Sequence, residues 1–400
     1  MTSRMILVSG KGGVGKTTVA AATALAAARR GRKTLVMSFD MAHSLADSFD
    51  LETELFSRDL GRPVTVEPNL DVLEIDLQTE LRRQWGDTYK FLSGMLYGSA
   101  NIQGALADEV GIVPGMEDMI ALGCLRTHER EGRYDLIVLD LPPTAEALGF
   151  VGFGSLIEWY VRKRLPFDRR VCRLVRPIAV RLDREMEMFM PEDGHFDVIQ
   201  RVAGELSELD AILRDPARTS IRLVTNPEKM VILETKRAFM YFSMYGVNID
   251  AVVVNRLFPR DSQYFAARVA LQDAFVEEIR NDFYPVRVFT APLLPSEVLG
   301  VDGLTRFARE VYADATPDDV FSRERGYEVT KEADGGYRLE IPLPFVEKDQ
   351  VQLTRSGQDL GIRVGTFKRT AVLPRHVAAL ETRGARVEGG RLVIQFSGRG

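Results

Sequence analysis

The stretch Gly10-Lys11-Gly12-Gly13-Val14-Gly15-Lys16-Thr17-Thr18 restricts this chain most, because it lies between the apolar run Met5–Val8 and the alanine-rich segment Val19–Arg29. It fits the pattern G-x-x-x-x-G-K-[ST] in the strand-then-helix setting that the pattern needs. Glycines let backbone N–H groups turn inward around a polyphosphate, and the start of the following helix adds partial positive charge. Gly10, Gly12, Gly13, Val14, Gly15 and Thr18 therefore form the cradle of an ATP site. Lys16 is expected to reach the β- and γ-phosphates, and Thr17 to set its hydroxyl on Mg²⁺.

Further strand-like runs follow at Thr34–Phe39, Tyr134–Asp140, Ile221–Thr225, Asp250–Asn255 and Pro285–Thr290, separated by helix-forming stretches. The alternation predicts an α/β fold, a doubly wound and mostly parallel sheet with a phosphate-loop core. Residues 50–133 and 150–215 read as helical insertions, with apolar positions such as Leu92, Leu96, Met119 and Ile120 at helical spacing. In such a sheet the carboxyl ends of the strands line the ligand crevice. Asp140, ending a buried-type strand, is placed to hold Mg²⁺ directly or through water. Asp40, ending another, either meets the nucleotide and its metal, orienting or deprotonating the attacking water, or caps the next helix.

Composition narrows the class. The 400 residues carry 52 basic and 57 acidic side chains, a net charge of −5 that argues against a general nucleic-acid binder. No run is apolar enough for a signal or a membrane span, and the two cysteines, Cys124 and Cys172, form no C-x-x-C pair. A reducing cytoplasm is the expected location. Between Arg162 and Arg184 nine Lys or Arg stand against Asp168 and Asp183, either a solvated face or a surface for acidic lipid or protein.

The segment Asp40-Met41-Ala42-His43-Ser44-Leu45-Ala46-Asp47-Ser48-Phe49 resembles the D-P-A-H-S-L-x-D-x-F switch of the arsenical pump-driving ATPases and their relatives that deliver tail-anchored membrane proteins. Pro143, Thr144 and Leu148 match the family's second switch, while Met41, Leu141, Ala145 and Glu146 depart from its patterns. Lys11 is similar to the extra lysine of the deviant phosphate-loop class, in which each subunit of a dimer sends this lysine to the other's nucleotide. The resemblance thus implies a Mg-ATP-hydrolysing homodimer in which Lys11, Lys16 and Asp40 are catalytic. It also implies a nucleotide-gated helical groove for hydrophobic protein segments, possible delivery to a membrane receptor, or, alternatively, an arsenite- or anion-transport-energising subunit or a scaffold with little turnover. Met186, Met188, Phe189 and Met190 either line that groove or belong to an ordinary core. Asn255 stands where relatives use an asparagine for adenine, and Pro292, Leu293 and Leu294 stand in a loop resembling the one that packs on the base.

Beyond the ATPase domain, 1–314, residues 315–325 read as a linker, and 326–400 change character. Leu339, Ile341 and Leu343, then Leu360, Ile362 and Val364, then Leu392, Ile394 and Phe396 alternate, which predicts a small antiparallel β-sandwich. Its order of features resembles the α-crystallin domain of small heat-shock proteins.

Overall fold

A computed structural model describes residues 3–39, 44–51, 61–76, 80, 116–182, 193–261, 263–323, 328–333 and 335–397. The N-terminal sheet is built from β1 (Arg4–Gly10), β2 (Thr34–Ser38), β3 (Val64–Glu67), β4 (Leu70–Glu74), β5 (Leu136–Asp140), β6 (Thr219–Thr225), β7 (Ile249–Leu257) and β8 (Arg287–Pro292). Its strand order is β3-β4-β2-β5-β1-β6-β7-β8. Fully buried runs in β1, β2, β5 and β6 make its centre. Both faces are covered there, which is why these strands do not alternate polar and apolar. Every pairing is parallel except that of the edge strand β3 with β4.

The hairpin β3–β4 corrects the expectation of a wholly helical insertion over 50–133. Leu70, Val72 and Leu73 are buried because β4 pairs in parallel with β2, and Asn69, at φ +65, supplies the left-handed turn residue that joins the two strands. Most of the remaining insertion, including Leu92 and Leu96, lies outside the described residues, as do Asp40–His43 and Met186–Met190.

One face of the sheet is covered by α1 (Lys16–Arg29), the short α2 (Ser44–Ser48) and, at the end of the N-terminal domain, Gly300–Tyr312; Ala20, Ala24, Leu304 and Phe307 pack there. Alanines let α1 approach both β1 and its neighbours closely. The other face carries α3 (Met116–Glu131), α4 (Thr144–Lys163), α5 (Leu165–Leu182), α6 (Asp193–Leu213) and α7 (Lys229–Tyr245), followed by α8 (Ala266–Asp282). The helix Gly300–Tyr312 is then α9.

The C-terminal strands are β9 (Glu328–Lys331), β10 (Tyr337–Pro342), β11 (Val351–Ser356), β12 (Asp359–Val364), β13 (Phe367–Val372), β14 (Glu381–Glu388) and β15 (Arg391–Ser397). They form a four-stranded sheet, β14-β15-β10-β9, and a three-stranded one, β11-β12-β13, each strand antiparallel to its neighbours. Leu339, Ile341, Ile362, Leu392 and Ile394 fill the space between the sheets, as their period-two spacing predicts.

This sandwich is docked on the helices of the N-terminal domain. Phe345 lies with its ring centroid 5.8 Å from Phe239 and 5.5 Å from Phe283, and Phe367 lies 4.9 Å from Tyr241. Arg369 of β13 is 5 % exposed and stacks 5.3 Å over Tyr245 of α7, so the apolar core runs without a break from one domain into the other. The connection between them is anchored as well. Arg222 of β6 donates to the Asp319 carbonyl at 3.1 Å, and Asn248 Nδ2 donates to the Ser322 carbonyl at 2.9 Å.

Candidate active site

Strand β1 runs between β5 and β6, which delivers Gly10 to the middle of the sheet's carboxyl edge. A Cβ at Gly10 would lie 2.3 Å from the backbone oxygen of Val224, so no other residue fits there without moving β6. Gly13 and Gly15 adopt φ +79 and +95, conformations that side chains disfavour and that fold the loop back on itself. Lys16 is 8 % exposed and its Nζ donates to the Lys11 carbonyl at 3.4 Å, across the mouth of the loop.

The acid and hydroxyl expected to serve a cation lie at the same edge. Asp140 is 1 % exposed and sits in register with Val8 on β1 and Ser38 on β2. Thr17 Oγ1 is 3.3 Å from Ser44 Oγ, which opens α2. Helix α2 is tied down by Glu74 at the end of β4, whose Oε1 accepts from Ala46 N–H at 2.8 Å. Glu74 is a site-supporting residue that sequence reasoning missed; its faint signal was an acid closing a short, mostly buried run, as Asp140 closes a fully buried one. Asp40, the expected water-orienting acid, lies outside the described residues.

On either side of β1 a buried polar atom lacks a partner among the described residues: Thr144 Oγ1 just after β5, and Asn226 Oδ1 just after β6. Each such group costs about 1–3 kcal/mol unless something polar arrives to meet it. An oxygen-only donor set of hydroxyl and carboxylate, next to a phosphate cradle, suits Mg²⁺, which takes few protein ligands and completes its shell with phosphate and water. Among the described residues no group of three His, Cys, Asp or Glu forms a metal cage of another kind.

Asn255, expected at the adenine, is 4 % exposed and engaged with the phosphate loop. Its Nδ2 donates to the Val14 carbonyl at 2.8 Å, and its Oδ1 accepts from Arg256 N–H at 2.8 Å. It leaves only 2.4 Å to a Cβ position on Gly15, so strand β7 braces the loop from the side. Leu293 N–H donates to the Leu257 carbonyl at 2.8 Å, which holds Pro292, Leu293 and Leu294 at the same edge as Asn255. Leu293 is exposed there, and Leu294 is half-buried.

Lys11 reaches away from its own loop. Its Nζ is 3.8 Å from Glu234 Oε2 on α7, both side chains being partly exposed. Such a pair contributes roughly 0–1 kcal/mol, so Lys11 is easily released from it.

A titrating acid lies where α3 meets α4. Burial first, then the charges of Glu117 and Glu146, push the Asp118 carboxyl from 3.8 up to about 6. A methyl group on Gly149 of α4 would lie 2.8 Å from Asp118 Oδ2, so the acid is wedged between α3 and α4. Because its folded value is above its unfolded one, the folded state holds the proton longer and stability falls as pH rises from about 4 to about 6. Asp118→Asn is expected to remove that slope and to raise stability at pH 7.5 by on the order of 1 kcal/mol, a figure already reduced for its partial exposure. Melting temperatures of the two proteins measured across pH 4–8 check this; parallel curves would contradict it.

A family model described as "Anion-transporting ATPase" matches residues 3–313, and one described as "HSP20-like domain found in ArsA" matches residues 334–396. The chain is 39 % identical to a protein of Aquifex aeolicus named "Putative arsenical pump-driving ATPase 1", over 98 % of this chain and 100 % of that one. It is 32 % identical to a protein of Prosthecochloris vibrioformis named "Putative arsenical pump-driving ATPase", over 94 % of this chain and 92 % of the other. It is 28 % identical to "ATPase ASNA1 homolog 2" of Paramecium tetraurelia, over 76 % of this chain and 92 % of that relative. With a phosphate cradle, a buried strand-end acid and an HSP20-like sandwich in these positions, the chain belongs to the anion-transporting ATPase family and is an ATP hydrolase.

Proposed function

We propose that the protein works as a homodimeric, nucleotide-driven switch that binds apolar protein segments on its helical layer. The observation that carries this reading is α5. Phe167, Val171, Leu174 and Val175 are 59 %, 40 %, 74 % and 41 % exposed, and their spacing puts them on one face of that helix. Trp159 of the neighbouring α4 is 39 % exposed. Arg170 and Arg173 project beside this stripe, a flank suited to the anionic surroundings of a membrane-bound segment. A row of large apolar side chains left to water is a standing liability for a chain that does not use it.

Pairing of two copies is supported beside the phosphate loop. Met230 is 67 % exposed on α7, the helix that carries Glu234, the residue paired with Lys11. In a dimer closed over this face, Lys11 of each copy stabilises charge on the partner's transferring phosphoryl group, Lys16 serves its own, and Asp40 orients the attacking water. Thr17 and Asp140, with Asp40 as a third candidate ligand, would hold Mg²⁺, which would offset phosphate charge. Release of the γ-phosphate frees Ser44–Ser48 and the start of α4, which carries the signal to the helical layer.

The names of the relatives also suggest an anion pump. Direct capture of a soft metalloid needs thiolates. Cys124 is 3 % exposed, and burial, together with Asp168, pushes the Cys172 thiol up, which keeps it protonated. That chemistry favours a protein client over a metalloid.

The test uses purified protein with ATP and a photoreactive peptide of about 20 apolar residues, the length that spans a bilayer. Crosslinking to α5 is expected, with Leu174→Asp lowering the yield at least fivefold while ATP hydrolysis stays within twofold. Equal yields from the parent and from Leu174→Asp and Phe167→Asp proteins would sink the groove.

A further inference from the structure

We infer that the seam between the ATPase domain and the β-sandwich is a binding site for a small amphiphile with one carboxylate, its charge held by Arg237. A cavity of about 700 Å³ opens between α7 and the sandwich, walled by Leu233, Met240, Phe345, Val346, Val364 and Phe367. That volume falls in the range of sites for small organic ligands, which are mostly apolar with a few polar groups that fix orientation.

The cavity is propped open. Phe345 adopts φ +61, a left-handed conformation that bulky residues rarely take, and its ring is wedged against Phe239 and Phe283 at 5.8 and 5.5 Å. Across the opening, Phe367 is fixed on Tyr241 at 4.9 Å. Neither wall can slide inward to close the space without breaking these ring contacts.

One cation in the lining is free to orient a ligand. Lys236 is not that cation, since its Nζ lies 2.8 Å from Glu278 and 2.5 Å from Asp282. Arg237, one residue on, is exposed at the cavity, and no acid among the described residues forms an ion pair with it. Asp349 on the facing wall sits on the exposed turn Lys348–Gln350, beside Lys348. Arg237 is thus the lining cation with no acid at ion-pair distance among the described residues, and a guanidinium binds a carboxylate through two parallel hydrogen bonds. Gln350 and Gln352 add hydrogen-bonding groups at the rim.

Titration calorimetry of the full-length protein with decanoate, kept below its micelle concentration, tests the site. Saturable one-to-one binding is expected. Arg237→Gln is expected to weaken it at least tenfold, and Thr366→Trp or Gln352→Trp, both on the rim, to abolish it with no change in melting temperature. Decanol is expected to bind at least tenfold more weakly than decanoate. The inference is overturned if no saturable heat appears, or if Arg237→Gln and both tryptophan variants bind decanoate as the parent does, which would place it on the apolar stripe of α5. It is equally overturned if decylamine binds more tightly than decanoate and loses affinity in Asp349→Asn.

Discussion

Mixing two inactive variants is expected to restore hydrolysis. Lys11→Ala and Lys16→Gln should each lower turnover by about 10³-fold or more, since each removes a cation from charge that develops on the transferring phosphoryl group. In the dimer proposed above, each site would use Lys16 of one copy and Lys11 of the other. A heterodimer of the two variants therefore keeps one complete site, and a one-to-one mixture should recover about a quarter of the parent's specific activity, because about half the dimers are mixed and each has one working site. The geometry of the single chain is consistent with this: Lys16 turns in toward the Lys11 carbonyl, whereas Lys11 turns out to Glu234. Phosphate release from the mixture, measured against each variant alone, decides the matter. If the mixture is no more active than the sum of its parts, Lys11 does not act across an interface.

The largest effect on stability is expected from Asp250→Ala. Arg222 and Asp250 are both 0 % exposed, with Arg222 Nε 3.4 Å and Arg4 Nη2 3.3 Å from the carboxylate. Burial brings Arg4 down to about 10 even with Asp250 opposing it, so the desolvation of that cation is only partly offset by its partner. Arg222 also donates to Tyr312 Oη at 3.1 Å and lies 4.7 Å over the Phe321 ring. Removing the acid leaves two guanidinium groups buried without their shared anion, at a cost of about 3–5 kcal/mol. Denaturant unfolding of the full chain checks this. Replacing Arg4 and Arg222 by Met as well should recover most of the loss, because an apolar cluster of similar volume needs no counter-charge. A loss below about 1 kcal/mol in Asp250→Ala would mean that water already reaches the network. The same variant should expose 315–323 to proteolysis, since Arg222 holds the Asp319 carbonyl.

How much of this is legible in the sequence depends on how local each feature is. The phosphate loop is one contiguous segment whose chemistry is written in its glycines, lysine and threonine, so Gly10–Thr18 is legible at once. Asp140 is legible because a run of buried-type residues that closes on an acid puts that acid at the ligand edge of a parallel sheet. The β-sandwich shows in its period of two. By contrast, Val64–Glu67 and Leu70–Glu74 are too short to stand out from a helix-rich surround, and only the open edge beside β2 makes strands of them.

The site's supports are hidden for a different reason. Asn255 bonds Val14 from 241 positions away, and Arg4 meets Asp250 from 246 positions away. No pattern within either segment marks such a pair; only the strand order β1-β6-β7 brings the two together. Asn255 fitted a role at the base by resemblance, while its position against Gly15 follows from strand β7 ending beside the loop.

Local sequence determined the phosphate cradle, the acid that closes β5 and the alternation that builds the sandwich, because each needs only neighbouring residues with the right backbone freedom or spacing. Tertiary structure alone decided that Glu74 anchors α2, that Arg222 and Asp250 share a dry interior, and that Arg237 borders an open seam between domains. Those outcomes depend on which strands and helices become neighbours, and that is fixed by burial of the whole apolar surface at once rather than by any segment of it.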